Sequence, residues 1–160
     1  MTRVYVAAGS NVEPQKHLHQ ALAALRREFG NVTVSRAYRN PAVGFEGPDF
    51  INLAVGFDTT KTLEQLLEVL RGIELECGRP RLAPKWEPRS MDLDVLLYDA
   101  LVMRTADYTV PRPDLLKRAY MLAPLAEIAP QVRHPTEGKS IAELWMQFDR
   151  RAHEMTPVEL

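Results

Sequence analysis

Two aspartates stand two residues apart in Met91-Asp92-Leu93-Asp94-Val95-Leu96-Leu97. Side chains alternate on a strand, so Met91, Leu93, Val95 and Leu97 would share one apolar face and both carboxylates the other. Like charges at that spacing repel unless a cation neutralises them, and hard oxygen ligands suit Mg²⁺. A pair of solvated acids on an open strand face is the competing reading. The segment upstream bears on the choice. Arg79, Arg81, Lys85 and Arg89 are opposed only by Glu87, and Pro80, Pro84 and Pro88 keep the stretch out of a helix. Such a run is often a solvated loop. Feeding straight into a carboxylate strand, it also has what a metal–phosphate site needs: acids for Mg²⁺, a metal to bridge phosphate oxygens, and guanidinium forks for the remaining charge. Trp86, flanked by cations, suits a stacking lid better than a core position.

A second group lies earlier. Phe50 and Asn52 are two apart, facing away from Ile51, Leu53 and Val55 if the segment is a strand. A ring beside an amide suits a flat heterocycle, by stacking and by hydrogen bonding. A partly buried Phe beside a solvated Asn is the alternative. Tyr120, after Lys117-Arg118, is a candidate second aromatic. There is no GxxxxGK[ST] phosphate loop and no Ser–His–Asp or Cys–His set. His17, His19, His134 and His153 are scattered and read as surface residues. His17 and His19 are also too close to share a helix face.

The elements that must position these groups follow from periodicity and punctuation. Val4 and Val6 begin a first strand that runs into a turn at Gly9-Ser10-Asn11. Leu18, Leu22, Leu25 and Phe29 recur at helical spacing from Pro14 to a stop at Gly30. Val32 to Arg39 reads as a second strand, Asn40 to Asp49 as a loop, and Phe50 to Phe57 as a third strand. Thr62 with Gln65 is a capping box for a second helix ended by Gly78. Met91 to Leu97 is the fourth strand, which Leu101 to Met103 would join as a short hairpin. A loop bounded by Pro111 and Pro113, a helix near Tyr120 to Ala129 and an amphipathic segment from Ser140 to Phe148 follow; no role is read for the 149–160 tail.

The order is β-α-β-β-α-β, the ferredoxin-like plan: an α+β fold with an antiparallel sheet, its helices on one face and the other face free for a site, plus C-terminal helical additions. Composition sets outer bounds. The 160 residues suit one domain, 1–160. With 20 Lys+Arg against 21 Asp+Glu, there is no broad basic face for nucleic acid. No run is long enough for a membrane span or signal peptide. The lone Cys77 cannot form an internal disulfide, which favours a reducing cytoplasm.

Gly9-Ser10-Asn11, Tyr38-Arg39-Asn40-Pro41, Phe50-Ile51-Asn52, Ile73-Glu74-Leu75, Gly78-Arg79-Pro80-Arg81, the run Trp86 to Asp94, Val110-Pro111, Arg118 to Leu122 and Pro124-Leu125 together resemble the 6-hydroxymethyl-7,8-dihydropterin pyrophosphokinase family of folate biosynthesis, from about Val4 to Pro130. The resemblance implies an enzyme in which the pterin hydroxymethyl oxygen attacks the β-phosphorus of ATP and AMP leaves. It implies that Asp92 and Asp94 bind two Mg²⁺ ions, with Asp92 also near the pterin hydroxyl. Arg79 and Arg89 would hold phosphates, and Arg81, Lys85 and Trp86 would belong to a mobile lid. Phe50 and Tyr120 would sandwich the pterin, Asn52 would bond its polar edge, and the loop carrying Asn40, Pro41 and Val43 would read the other edge. Glu74, Val95, Thr109, Arg112 and Arg118 would surround the nucleotide. The expected partners are those two small molecules, without nucleic acid or membrane, and the expected form is a monomer.

The chain departs from the family pattern on the nucleotide side. Arg112-Pro113 stands where His and a variable residue are usual, Glu87 where Gly is frequent, Lys85 where Arg is frequent, and Asp107 near an expected cation. Two alternatives therefore accompany the main reading: a divergent paralogue with an altered pterin or weak ATP use, and a non-catalytic pterin-binding module.

Overall fold

Val4, Val6 and Ala8 alternate with Tyr5 and Ala7 along the first strand, and both sets are buried. A strand buried on both faces belongs at the middle of a sheet covered on two sides. The computed structural model describes residues 1–44, 46–78 and 90–160. In chain order its elements are β1 (Thr2–Ser10), α1 (Pro14–Phe29), β2 (Thr33–Val34), β3 (Ala37–Asn40), β4 (Phe50–Thr59), α2 (Leu63–Glu76), β5 (Asp92–Tyr98), β6 (Met103–Arg104), β7 (Thr109–Val110), a 3₁₀ turn (Pro113–Leu116), α3 (Ala119–Ile128), α4 (Ile141–Gln147) and β8 (Thr156–Val158).

The main sheet runs β5-β1-β4-β3-β8, with β2 also on β4, and every pair is antiparallel. The first four strands of that order, with α1 and α2 between them, are the ferredoxin-like arrangement read from the sequence. α1 and α2 cover one face: Leu18, Leu25, Leu66, Leu70 and Ile73 meet Val4, Val6, Leu53, Val55 and Phe57 in one core. Thr62 Oγ1 accepts from the Gln65 amide, and the Gln65 side chain returns a bond to the Thr62 amide, so the expected capping box opens α2. Gly30, at φ 77°, ends α1 in a backbone conformation that L side chains rarely adopt.

The opposite face is not left free. α3, α4 and the 3₁₀ turn lay Leu115, Met121, Leu122, Leu125 and Ile141 over Tyr5, Ala7, Leu96 and Leu97, making a second core. α3 is apolar around most of its circumference, and a helix of that kind is stable only when covered. Asp92 and Asp94, only partly buried, lie on this face toward the end of the sheet where β1 finishes and β5 begins.

Two bulges correct the strand assignments. The stretch from Val32 to Arg39 is two short strands, because Thr33 and Val34 pair with Gly56 and Val55 whereas Tyr38 pairs with Asn52, one residue out of step. Ser35 fills the gap: its amide donates to Ala54 O at 2.9 Å and its Oγ accepts from Ala54 N at 2.8 Å. In β5 the register against β1 shifts between Tyr5 and Val6, and Leu96 is the extra residue. Met91, Leu93 and Val95 keep the face expected of them, but Leu97 crosses to the second core. Alternation counts residues correctly only while the ladder is unbroken.

The short hairpin also has a different partner. Met103 and Arg104 pair with Val110 and Thr109, forming a separate two-stranded ribbon rather than an extension of β5. Asp99, at φ 50°, turns the chain away from β5, and Thr105 Oγ1 closes the ribbon's turn by accepting from the Asp107 and Tyr108 amides. Of the histidines, His17 and His134 are buried rather than on the surface. His17 Nδ1 bonds Val12 O, and His134 is enclosed in the turn between α3 and α4. Finally, the tail is structured: β8 adds to β3 as the sheet's outer strand.

Candidate active site

Gly9, next to last in β1, pairs with Asn52 of β4 on one side and Asp92 of β5 on the other. Directly paired residues share a face, so Asp92, Gly9 and Asn52 form a row across three strands. Asp94 is opposite Ala7 on the same face, one pleat further in. The two carboxylates thus lie together toward this end of the sheet, both partly buried. Gly9 is small for a steric reason: a Cβ there would sit 2.2 Å from Asn52 Oδ1.

Asn52 is buried, and its Nδ2 donates to Asn40 Oδ1 at 2.5 Å. Asn40 is itself the register partner of Phe50, and its Nδ2 reaches Pro41 O at 3.0 Å. The amide, the ring and the start of the 40–49 loop are therefore one connected unit. Asn11, buried just beyond β1, donates to Pro48 O at 3.1 Å and pins the far end of that loop.

Tyr120 opens α3 beside this unit. It lines a cavity of about 280 Å³ with Asn40, Pro41, Val43 and Arg118. Burial, foremost, pushes its hydroxyl above the ordinary phenol range, with smaller contributions from Asp114, Asp94 and Asp92. α3 is held against β3 by Glu127, which accepts from Tyr38 Oη at 2.8 Å and from the Arg36 amide at 2.6 Å. No sequence pattern singled out Glu127, since a carboxylate on a helix end is ordinary until its partners are known.

Arg112 is brought to the acids by the bulge in β5. Its amide donates to the carbonyl of the extra residue Leu96 at 3.0 Å, and its guanidinium lies 3.5 Å from Asp94 and 3.6 Å from Asp114. Burial opposes the charge, but Asp94, Tyr108, Asp114 and Asp92 outweigh it and raise the guanidinium further. Arg112 Nε is buried with no hydrogen-bond partner among the described residues. Tyr108 packs its ring near this guanidinium and donates to Val95 O at 3.0 Å. Burial, then Asp94, lifts the Tyr108 hydroxyl well above the phenol range, so it stays protonated.

The remaining predicted positions spread around these. Glu74 of α2 accepts from the Leu93 amide at 2.8 Å, satisfying a donor on the outer edge of β5. The Val95 side chain is in the main core, and Thr109 sits on β7, paired with Arg104. Arg118 lines the cavity with Asn40 and Tyr120. Phe50 and Asn52 lie next to the cavity through Asn40 and are not among its lining residues. Arg79, Arg81, Lys85, Trp86, Glu87 and Arg89 lie outside the described residues.

The donor set fits a hard cation whose other ligands come from a substrate. Among the described residues no three His, Cys, Asp or Glu side chains converge on one point. Mg²⁺ commonly binds through one or two carboxylates plus phosphate oxygens, so Asp92 and Asp94 suffice if a polyphosphate supplies the rest.

Three comparisons with known proteins bear on this geometry. Residues 5–130 match the family described as 7,8-dihydro-6-hydroxymethylpterin-pyrophosphokinase. The chain is 40% identical over 146 residues to the 2-amino-4-hydroxy-6-hydroxymethyldihydropteridine pyrophosphokinase of Pseudomonas aeruginosa, covering 89% of each. The enzyme of the same name from Haemophilus influenzae is 35% identical over 162 residues, covering 98% of this chain and all of the relative. Among solved structures, wild-type Plasmodium falciparum HPPK-DHPS with STZ-DHP superposes with a TM-score of 0.73 at 12% identity. That match covers 91% of this chain and 43% of the other, so the chain spans less than half of that protein, and the likeness speaks for the fold alone.

Proposed function

The chain belongs to the 7,8-dihydro-6-hydroxymethylpterin-pyrophosphokinase family, and on that premise we propose that it transfers the pyrophosphoryl group of ATP to 6-hydroxymethyl-7,8-dihydropterin in folate biosynthesis. The bond that forms joins the hydroxymethyl oxygen to the β-phosphorus. The bond that breaks joins that phosphorus to the oxygen bridging to the α-phosphate, which leaves on AMP.

The observation that carries the reading is the row Asp92–Gly9–Asn52, which sets a pair of acids beside an amide and ring unit. Asn52, held by Asn40, presents a rigid hydrogen-bonding edge for the pterin, and Phe50 and Tyr120 supply its stacking faces. Asp92 and Asp94 would hold Mg²⁺, two ions being expected, and magnesium when bound would neutralise charge on the transferring phosphates. Asp92 orients the hydroxymethyl group and receives its proton as the P–O bond forms. Arg79 and Arg89 would bind phosphates, and Arg81, Lys85 and Trp86 would cover them, excluding water that would otherwise hydrolyse ATP. Glu74, Val95, Thr109, Arg112 and Arg118 complete the ATP side. Pyrophosphoryl transfer needs alignment and charge neutralisation more than a dedicated base, so a site without a catalytic His or Cys is adequate. We expect one domain, acting as a monomer in the cytoplasm.

The paralogue reading draws on one observation, the Arg112–Asp94 ion pair, which sets a cation where the metal's acid stands. One assay separates the readings. Protein, ATP, Mg²⁺ and 6-hydroxymethyl-7,8-dihydropterin should yield AMP that depends on the pterin. AMP no greater than in a pterin-free control would defeat the proposal, and turnover only at a KM for ATP far above cellular levels would favour the paralogue.

A further inference from the structure

The cavity that holds Asn40, Pro41, Val43 and Tyr120 has a wall from a distant part of the chain: Ala152, His153 and Glu154. We infer that this 152–154 segment is part of the pterin pocket, with His153 and Glu154 as specificity-determining positions; the inference rests on the proposed reading of the site. Two independent observations place the segment there. The cavity lining is one. The other is register: β8 pairs Ala37 with Val158, Tyr38 with Pro157 and Arg39 with Thr156. The pairing ends at Arg39 and Thr156, so the residues just before Thr156 run up to the loop that the site depends on.

The segment is anchored on both sides. Before it, the Arg150 guanidinium lies 4.0 Å from the Trp145 ring centre and bonds Trp145 O, and the His153 ring packs edge-on against Phe148 with centres 4.8 Å apart. After it, Val158 and Leu160 pack on the main core, and Gln15 Nε2 donates to Glu159 O at 2.8 Å. A wall held this way loses little freedom when a ligand arrives, which favours binding.

Its chemistry complements the other walls. A carboxylate such as Glu154 is acceptor-only, an imidazole can donate or accept, and Tyr120 offers a ring face. A 2-amino-4-hydroxy pteridine offers donors and acceptors along one edge, and a carboxylate takes N–H bonds from the amino-bearing part with charge assistance. The cavity, at about 280 Å³, is near the small end of ligand pockets, in keeping with a single bicyclic ring.

The test uses the full chain, because removing β8 would also strip Val158 and Leu160 from the core. The double variant His153→Ala/Glu154→Ala removes the polar wall, and Ala152→Trp fills the cavity while leaving every anchor in place. Melting temperature checks that each is folded. Both should raise the KM and the directly titrated Kd for the hydroxymethyl-dihydropterin about tenfold, as expected for losing one or two polar contacts or the space itself, with the KM for ATP within about twofold of the parent. If the double variant does not fold, Ala152→Trp decides alone. Unchanged pterin Kd in folded variants, or parallel rises for both substrates, would overturn the inference. A parent that binds the pterin but forms no AMP would defeat the proposed reaction while leaving the wall testable by Kd. A parent that binds no pterin defeats both.

Discussion

At Gly9 an added Cβ would lie 2.2 Å from Asn52 Oδ1, and that amide is the far end of a short side chain bonded to Asn40. The clash is relieved by turning the amide away, which breaks the bond to Asn40 and spoils the edge offered to the pterin. Gly9→Ala should therefore weaken dihydropterin binding at least about tenfold by calorimetry, while costing only about 1–2 kcal/mol in urea unfolding. Asp94 illustrates the opposite separation. Asp94→Asn keeps the shape but removes the charge that would hold magnesium, so turnover should fall by roughly a hundredfold or more with pterin Kd within about twofold. Equal loss of both would mean that Asp94 supports the fold through Arg112. Alternation in the sequence was enough to pair Asp92 with Asp94. Arg112 was expected near ATP, and its ion pair with Asp94 was not legible, because it depends on the carbonyl of one bulged residue.

At the scale of elements, the turn between α3 and α4 carries a titratable group in an unusual setting. His134 is buried, its Nδ1 accepts from the Thr136 amide at 3.2 Å, and its Nε2 has no hydrogen-bond partner among the described residues. Burial lowers its pKa from the ordinary value of 6.5, against a small opposing effect of Glu137. The unfolded chain then binds the proton more tightly, so this contribution to stability is complete above about pH 6.5 and is lost as pH falls through the lower folded value. The melting temperature should drop between pH 7 and pH 5.5, and His134→Gln should flatten that drop. An unaltered slope in the variant would assign the acid sensitivity to other groups. The capping boxes at Thr62 and Ser140 are local signals with local consequences, and the helices begin where those signals stand. The strands are different. Ser35-Arg36 and Leu96 look like ordinary strand residues, yet each stretch carries one residue too many for its ladder, and only pairing with the neighbour reveals it.

For the whole molecule, the central question is whether the layer of α3 and α4 folds with the sheet or upon it. Its core includes Tyr5 and Ala7 from β1, the same strand whose other face anchors the α1–α2 core. Sharing one strand between both cores couples them, and it supports a single cooperative unit for 1–160. Urea unfolding followed by Trp145 fluorescence, in a Trp86→Phe background, should coincide with far-UV circular dichroism. Leu122→Ala, at a fully buried position of the second core, should shift both curves together by about 2–5 kcal/mol. Two resolved transitions would show that the outer layer melts by itself.

Sequence alone was sufficient for the order of the core β-α-β-β-α-β elements, the capping box at Thr62, the shared face of Asp92 and Asp94, and the family whose motifs run from Val4 to Pro130. Each of these depends on residues near one another in the chain, where spacing and side-chain chemistry act directly. Tertiary structure decided the rest. It covered the face expected to be open, moved Leu97 across the sheet, joined Asn52 to Asn40, and brought Ala152–Glu154 to the cavity of Tyr120. Those outcomes are set by which strands pair and in what register, and register is a property of two segments at once.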